Sequence, residues 1–194
     1  MIVLGLTGSI GMGKTTTSHM FAAEGVPVHS ADAVVHQLYA GRAAPLIEAA
    51  FPGTVVNGVV DRDRLSARVI DDKEALGRLE ALVHPLVRAE EEACLAAGRQ
   101  RSARLAVLDV PLLFETGAAS RCDRIVVVTA TPEIQRERVL SRPGMNEAKL
   151  EAILSRQMPD EEKRARADFI VDTGNGMEAA RLAVKAIVKR CRAL

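Results

Sequence analysis

Residues 8–15 read Gly8-Ser9-Ile10-Gly11-Met12-Gly13-Lys14-Thr15, a G-x-x-x-x-G-K-[ST] pattern whose chemistry is that of a polyphosphate cradle. The context is the one such a cradle needs. Ile2 to Leu6 is a continuous apolar run of the kind buried on both faces of a parallel sheet, and Lys14 to Glu24 reads as a helix stopped by Gly25. Backbone N–H groups that wrap a polyphosphate leave little room for a Cβ, hence the glycines. The phosphates then lie at the positive end of the following helix. The compact Lys14 ammonium reaches toward the β- and γ-phosphates, and the Thr15 hydroxyl is placed to hold Mg²⁺. The sequence therefore assigns nucleoside triphosphate binding, with ATP as the expected ligand, to Gly8, Ser9, Ile10, Gly11, Met12, Gly13, Lys14, Thr15 and Thr16. A glycine-rich turn carrying a surface lysine does not account for three glycines, Lys14 and Thr15 in one frame.

Outward from this loop, strands and helices alternate, which favours a parallel sheet covered on both faces. Val26-Pro27-Val28 begins a second strand that ends near Ser30, and further strands are expected at Arg104–Val110, Arg124–Thr129 and Asp168–Val171. The expected class is α/β, a three-layer fold with a five-stranded parallel sheet between helices. Residues 31–98 break the alternation. They read as mostly helical with little strand signal, with Asp61 and Asp72 as N-caps and Pro85 as the first residue of a third helix. A simple crossover needs far fewer residues, so an inserted helical acceptor-binding subdomain is expected at 31–98. Thr131-Pro132-Glu133 starts a helix that Pro143-Gly144 ends, and Asn146 caps another that runs to about Gln157. The terminal helix starts near Met177 with Leu182, Val184, Ile187 and Val188 as its apolar residues.

Composition narrows the function. The 194 residues are 48% hydrophobic with a net charge of +1, so the chain folds but lacks the positive field of a general nucleic-acid or membrane-surface binder. Aromatic residues make up 3% and there is no Trp, which argues against a single-strand nucleic-acid platform. Cys94, Cys122 and Cys191 are scattered. They suggest neither a disulfide framework nor a zinc site, and Cys94 and Cys191 fit as small core residues. The N-terminal apolar run lacks a basic leader and is broken by Gly5 and Gly8, so no signal peptide or membrane span is expected and a cytoplasmic location is.

The loop specifies a triphosphate but not the reaction. No guanine-reading N-K-x-D segment follows a strand; the last strand leads to Asp172-Thr173-Gly174-Asn175-Gly176. Asp32, just after the second strand, has two readings: a carboxylate that orients and deprotonates an attacking hydroxyl, or an N-cap for the next helix. Asp109, at the end of the strand Leu105–Leu108, is either a Mg²⁺-holding acid or a turn former before Pro111.

Several segments together resemble dephospho-coenzyme A kinases. Leu4 to Thr15 is similar to the family's nucleotide loop, whose G-x-x-G-x-G-K form is common in nucleoside and nucleotide kinases. Ala31-Asp32 resembles the end of its D-A-D segment, Val83-His84-Pro85-Leu86-Val87 its H-P motif, and Asp109-Val110-Pro111-Leu112-Leu113-Phe114-Glu115 its V-P-L-L-F-E segment. Arg156-Gln157-Met158-Pro159 with Lys163 and Ala167-Asp168 resembles its Q-x-P-x-x-x-K…A-D stretch, and Asn175-Gly176 the turn near the adenine. Ser9 departs from a frequent Gly, and Ser30 from the first Asp of D-A-D.

The resemblance implies ATP-dependent phosphorylation of the ribose 3′-hydroxyl of dephospho-CoA, giving CoA and ADP, the last step of coenzyme A synthesis. It implies Asp32, Lys14 and Arg142 as catalytic residues, with Arg142 and Asn175 added to the ATP site. Asp32, His84, Leu112 and Phe114 would meet the acceptor, and Thr15 and Asp109 the Mg²⁺. Residues 140–165 would be a lid carrying arginines, among them Arg138, Arg142 and Arg156 in or beside it. The expected partner is the small-molecule substrate alone, without nucleic acid or membrane, on a monomer or weak homo-oligomer. A kinase for nucleosides or nucleotides and a nucleotide-binding switch are the rival readings.

Overall fold

Hydrophobic patterning and turn residues resolve into nine helices and seven strands in the computed structural model, which describes residues 1–194. In chain order these are β1 (Ile2–Thr7), α1 (Lys14–Ala23), β2 (Val28–Ser30), α2 (Ala31–Tyr39), α3 (Ala43–Ala50), β3 (Val55–Val56), β4 (Val59–Val60), α4 (Arg62–Val69) and α5 (Lys73–Gln100). There follow β5 (Leu105–Asp109), β6 (Arg124–Thr129), α6 (Pro132–Leu140), α7 (Glu147–Leu154), α8 (Asp160–Ala165), β7 (Phe169–Asp172) and α9 (Met177–Arg192).

The main sheet has the order β2-β5-β1-β6-β7, so the expected five-stranded α/β architecture is present. β1 is central and pairs in parallel with β5, Leu6 beside Asp109, and with β6, Thr7 beside Val127. A strand in this position has no solvated face, which explains why its apolar run is continuous. One face is sealed by α1 and α9: Phe21, Val184 and Val188 pack with Leu4, Leu6, Val126 and Val128. On the other face the chain approaches closely at Gly5, where a Cβ would lie 2.7 Å from the Cys122 sulfur and 2.9 Å from Leu113.

The chain divides into two units, Met1–His29 with Leu95–Leu194, and Ser30–Cys94. The second has its own core, in which Leu38, Ile47, Phe51, Leu65, Leu79 and Val83 are buried. Asp61 accepts hydrogen bonds from Asp63 N and Arg64 N at 3.1 Å, and Asp72 from Glu74 N and Ala75 N at 2.9 Å, so both cap as the sequence predicts.

Several local expectations are corrected. Pro85 does not begin a helix; it lies inside the 28-residue α5. Position 85 is exposed, and the helix continues through it with Leu79 and Val83 buried in the turns before it. The second unit also contains a hairpin, with Val55 opposite Val60 across Asn57-Gly58, whose φ values of 52° and 80° suit a tight primed turn. α7 ends at Leu154, short of Gln157, and a separate α8 follows. Leu182 is 59% exposed, not part of the face that α9 buries, and Cys94 is only partly buried while Cys191 is buried. No helix is long and apolar enough to cross a membrane.

Candidate active site

β1 ends at Thr7 and α1 starts at Lys14, so residues 8–13 form the connecting loop. Two of its glycines are required by backbone geometry, Gly11 at φ 80° and Gly13 at φ 90°. Packing requires Gly8 as well, since a Cβ there would lie 2.6 Å from the Val128 carbonyl oxygen. A Cβ on Gly11 would meet Val139 at 2.6 Å and the Gln135 carbonyl oxygen at 2.9 Å. The glycines thus serve the protein side of the loop as well as any ligand.

Side chains from α6 and from the turn after β7 fasten this loop. Gln135 Nε2 donates to the Ile10 carbonyl at 2.7 Å. The Arg138 guanidinium donates to the Gly11 carbonyl at 3.4 Å, to Thr173 Oγ1 at 2.7 Å and to the Thr173 carbonyl at 2.9 Å. Thr173 Oγ1 in turn donates to the Met12 carbonyl at 2.8 Å. Arg138, expected among the arginines in or beside a lid, braces the loop instead. Gln135 and Thr173 carry no role in the sequence reading, and Gln157 enters it only as part of the Q-x-P resemblance. Gln135 and Arg138 are spaced three apart within α6, which places them on one helical face, and that spacing was the available signal.

Lys14 Nζ lies 2.5 Å from Asp109 Oδ1, with the two side chains 13% and 4% exposed. Register puts Asp109 beside Leu6 at the end of β5, so the sheet itself delivers the carboxylate to the loop. The Asp109 carboxylate therefore goes to Lys14 rather than to a local turn. Thr15 and Thr16 are exposed at the start of α1, where the first-turn N–H groups have no partner within the helix.

A cavity of 340 Å³ opens beside the loop, lined among others by Gly11, Gly13, Thr16, Arg138, Arg142 and Gly176. It brings together four of the residues assigned to nucleotide binding: Gly11, Gly13, Thr16 and Arg142. Asn175 is not in its lining, and its side-chain amide donates to Asp172 Oδ2 at 2.9 Å. Leu112, expected to meet the acceptor, is 37% exposed, while Phe114 is partly buried with the Arg166 guanidinium 5.8 Å from its ring centre.

Asp32 and His84 belong to the second unit. Asp32 is the second residue of α2, and the cap is Ser30, whose hydroxyl accepts from Ala33 N at 3.4 Å. The capping role considered for Asp32 is thus already filled. His84 is exposed within α5 rather than at a helix start, because that helix runs through Pro85.

The family model for dephospho-CoA kinase matches residues 2–179. A dephospho-CoA kinase of Mesorhizobium japonicum is 65% identical over 192 residues, covering 99% of this chain and 98% of the relative. A crystal structure from Thermus thermophilus superposes with a TM-score of 0.85 at 35% identity, covering 97% of each chain. The dephospho-CoA kinase structure of Campylobacter jejuni gives a TM-score of 0.73 at 26% identity, covering 98% of this chain and 97% of that one.

Proposed function

The chain belongs to the dephospho-CoA kinase family, and from that premise we propose that it transfers the γ-phosphate of ATP to the ribose 3′-hydroxyl of dephospho-CoA, giving CoA and ADP. The observation that carries the chemistry is the phosphate loop with Lys14 at its end, held against the buried Asp109. In this reading the phosphates of ATP lie along the loop and the first turn of α1, with Arg142 and the adjoining cavity receiving the rest of the nucleotide. On binding, Lys14 exchanges Asp109 for phosphate oxygens.

Asp32 is the proposed general base, which aligns the acceptor hydroxyl and takes its proton. Its carboxylate is at the second position of α2 and is not spent on capping. Lys14 and Arg142 stabilise the charge spread over the transferring phosphoryl group. His84, Leu112 and Phe114 are the proposed acceptor contacts; exposure of His84 and Leu112 and partial exposure of Phe114 leave them open to a ligand.

The residues fit a magnesium ion. Thr15 and Asp109 offer the hard oxygens that Mg²⁺ prefers, and no cluster of three or more His, Cys, Asp or Glu forms a dedicated cage. That suits an ion held by one or two protein oxygens and by the phosphates of its substrate. When bound, the ion neutralises phosphate charge.

ADP release measured with Mg-ATP and dephospho-CoA, with adenosine and AMP as parallel acceptors, tests the proposal. Release that depends on dephospho-CoA supports it; turnover with AMP or adenosine instead would assign a nucleotide or nucleoside kinase.

A further inference from the structure

Residues 157–163 hold a chain of contacts that the transfer described above does not use. Gln157 Oε1 accepts from the Ile10 N–H at 3.2 Å, and Gln135 takes the Ile10 carbonyl at 2.7 Å, so both polar groups of this loop residue are held by side chains from outside the loop. Gln157 is itself fixed through its neighbour. Met158 N donates to Glu115 Oε1 at 2.7 Å, and that oxygen is 3.1 Å from Lys163 Nζ. Lys163 has 0% exposure, and a lysine so enclosed stays charged only against an opposite charge. Burial by itself would raise the Glu115 carboxyl, but the Met158 N–H and the Lys163 ammonium outweigh it and hold the group below the usual range. One residue past Pro159, Asp160 Oδ2 accepts from Thr129 Oγ1 at 2.7 Å, tying the start of α8 to the end of β6.

We propose that Gln157 is a positioning residue for the phosphate loop, and that the Glu115–Lys163 pair is the anchor that keeps it in place. The proposal rests on the nucleotide-binding reading of that loop. With the Ile10 N–H given to Gln157 and the Met12 N–H to the Ser9 carbonyl at 3.1 Å, the Gly11, Gly13, Lys14 and Thr15 N–H groups are among the donors left to converge on phosphate. Gln157 fixes the Ser9–Ile10 peptide and Gln135 the next one, which carries the Gly11 N–H; with the first peptide loose, the loop backbone entering that second peptide would have to be ordered at the expense of ATP binding. Because residues 157–163 are tied to β6 and to Glu115, any lid closure is confined to the residues between Arg142 and Arg156, with Gln157 as its fixed end.

The test is Mg-ATP affinity by titration calorimetry on wild type and Gln157→Leu, which removes the acceptor at similar size, with steady-state kinetics and Tm measured on the same samples. The expected result is a Kd for Mg-ATP raised about five- to tenfold, the range set by one lost hydrogen bond, with the KM for the acceptor and the Tm unchanged. Lys163→Met is expected to weaken ATP in the same direction while also lowering the Tm. Unaltered ATP affinity in Gln157→Leu overturns the proposal. So does a loss that falls equally on ATP and acceptor and follows a lowered Tm, since that is the mark of a merely structural contact. Calorimetry reads ATP binding without turnover, so a wild-type protein inactive on dephospho-CoA would count against the transfer reading and leave this comparison intact.

Discussion

At the scale of single residues, Lys14 and Asp32 separate phosphate stabilisation from proton removal. Lys14→Ala removes the ammonium that meets the transferring phosphate, and kcat is expected to fall on the order of a hundredfold to a thousandfold, with the circular dichroism spectrum of the fold retained. Asp32→Asn keeps the shape but not the base, so kcat should drop by about 10²–10⁴ while the Kd for ATP measured by calorimetry stays close to wild type. Near-normal turnover in Asp32→Asn would remove that residue from the reaction. The loop residues were legible because phosphate chemistry dictates both their types and their spacing. Arg138 was less so, since its role as a brace depends on Thr173, 35 positions away in the chain, and no local pattern announces such a partner. The Lys14–Asp109 pairing likewise depends on β1 and β5 lying side by side, which alternation of strands and helices permits but does not specify.

At the scale of elements, α5 holds an interior proline at an exposed position. Pro85→Ala restores an N–H that can donate within the helix, so the protein should gain stability, up to about 3 kcal/mol, read as a higher midpoint in denaturant. A lowered midpoint would mean that the proline itself is required by the packing of the second unit. The sequence favoured a helix start there because Pro is common at that position; what continues the helix is the core of the second unit, in which Leu79 and Val83 are buried on either side of one turn. The β3–β4 hairpin had a local signal, Asn57-Gly58 between paired valines, which the helical reading of the surrounding stretch outweighed. Two-residue strands are too short for period-2 patterning to register.

At the scale of the whole molecule, the Glu115–Lys163 pair couples folding to pH. The Glu115 carboxyl is held below its ordinary 4.5 in the folded chain, so its contribution is complete above that value and is lost as the pH falls through the lower, folded one. Thermal midpoints of wild type should therefore drop on acidification into this range more steeply than those of Glu115→Gln; parallel curves would show that the pair adds nothing to acid stability. The number of strands and their alternation with helices were readable from apolar runs and caps. Their order in the sheet, β2-β5-β1-β6-β7, was not, because it is set by which edges meet once the helices cover both faces.

The central claim is the acceptor. Incubating the protein with Mg-ATP and an equimolar mixture of dephospho-CoA, AMP and adenosine, and reading products by mass, tests it most directly. Dephospho-CoA alone is expected to gain one phosphoryl group, with loss of the product when Lys14 is replaced by Ala. Phosphorylation of AMP or adenosine in preference to dephospho-CoA would contradict it.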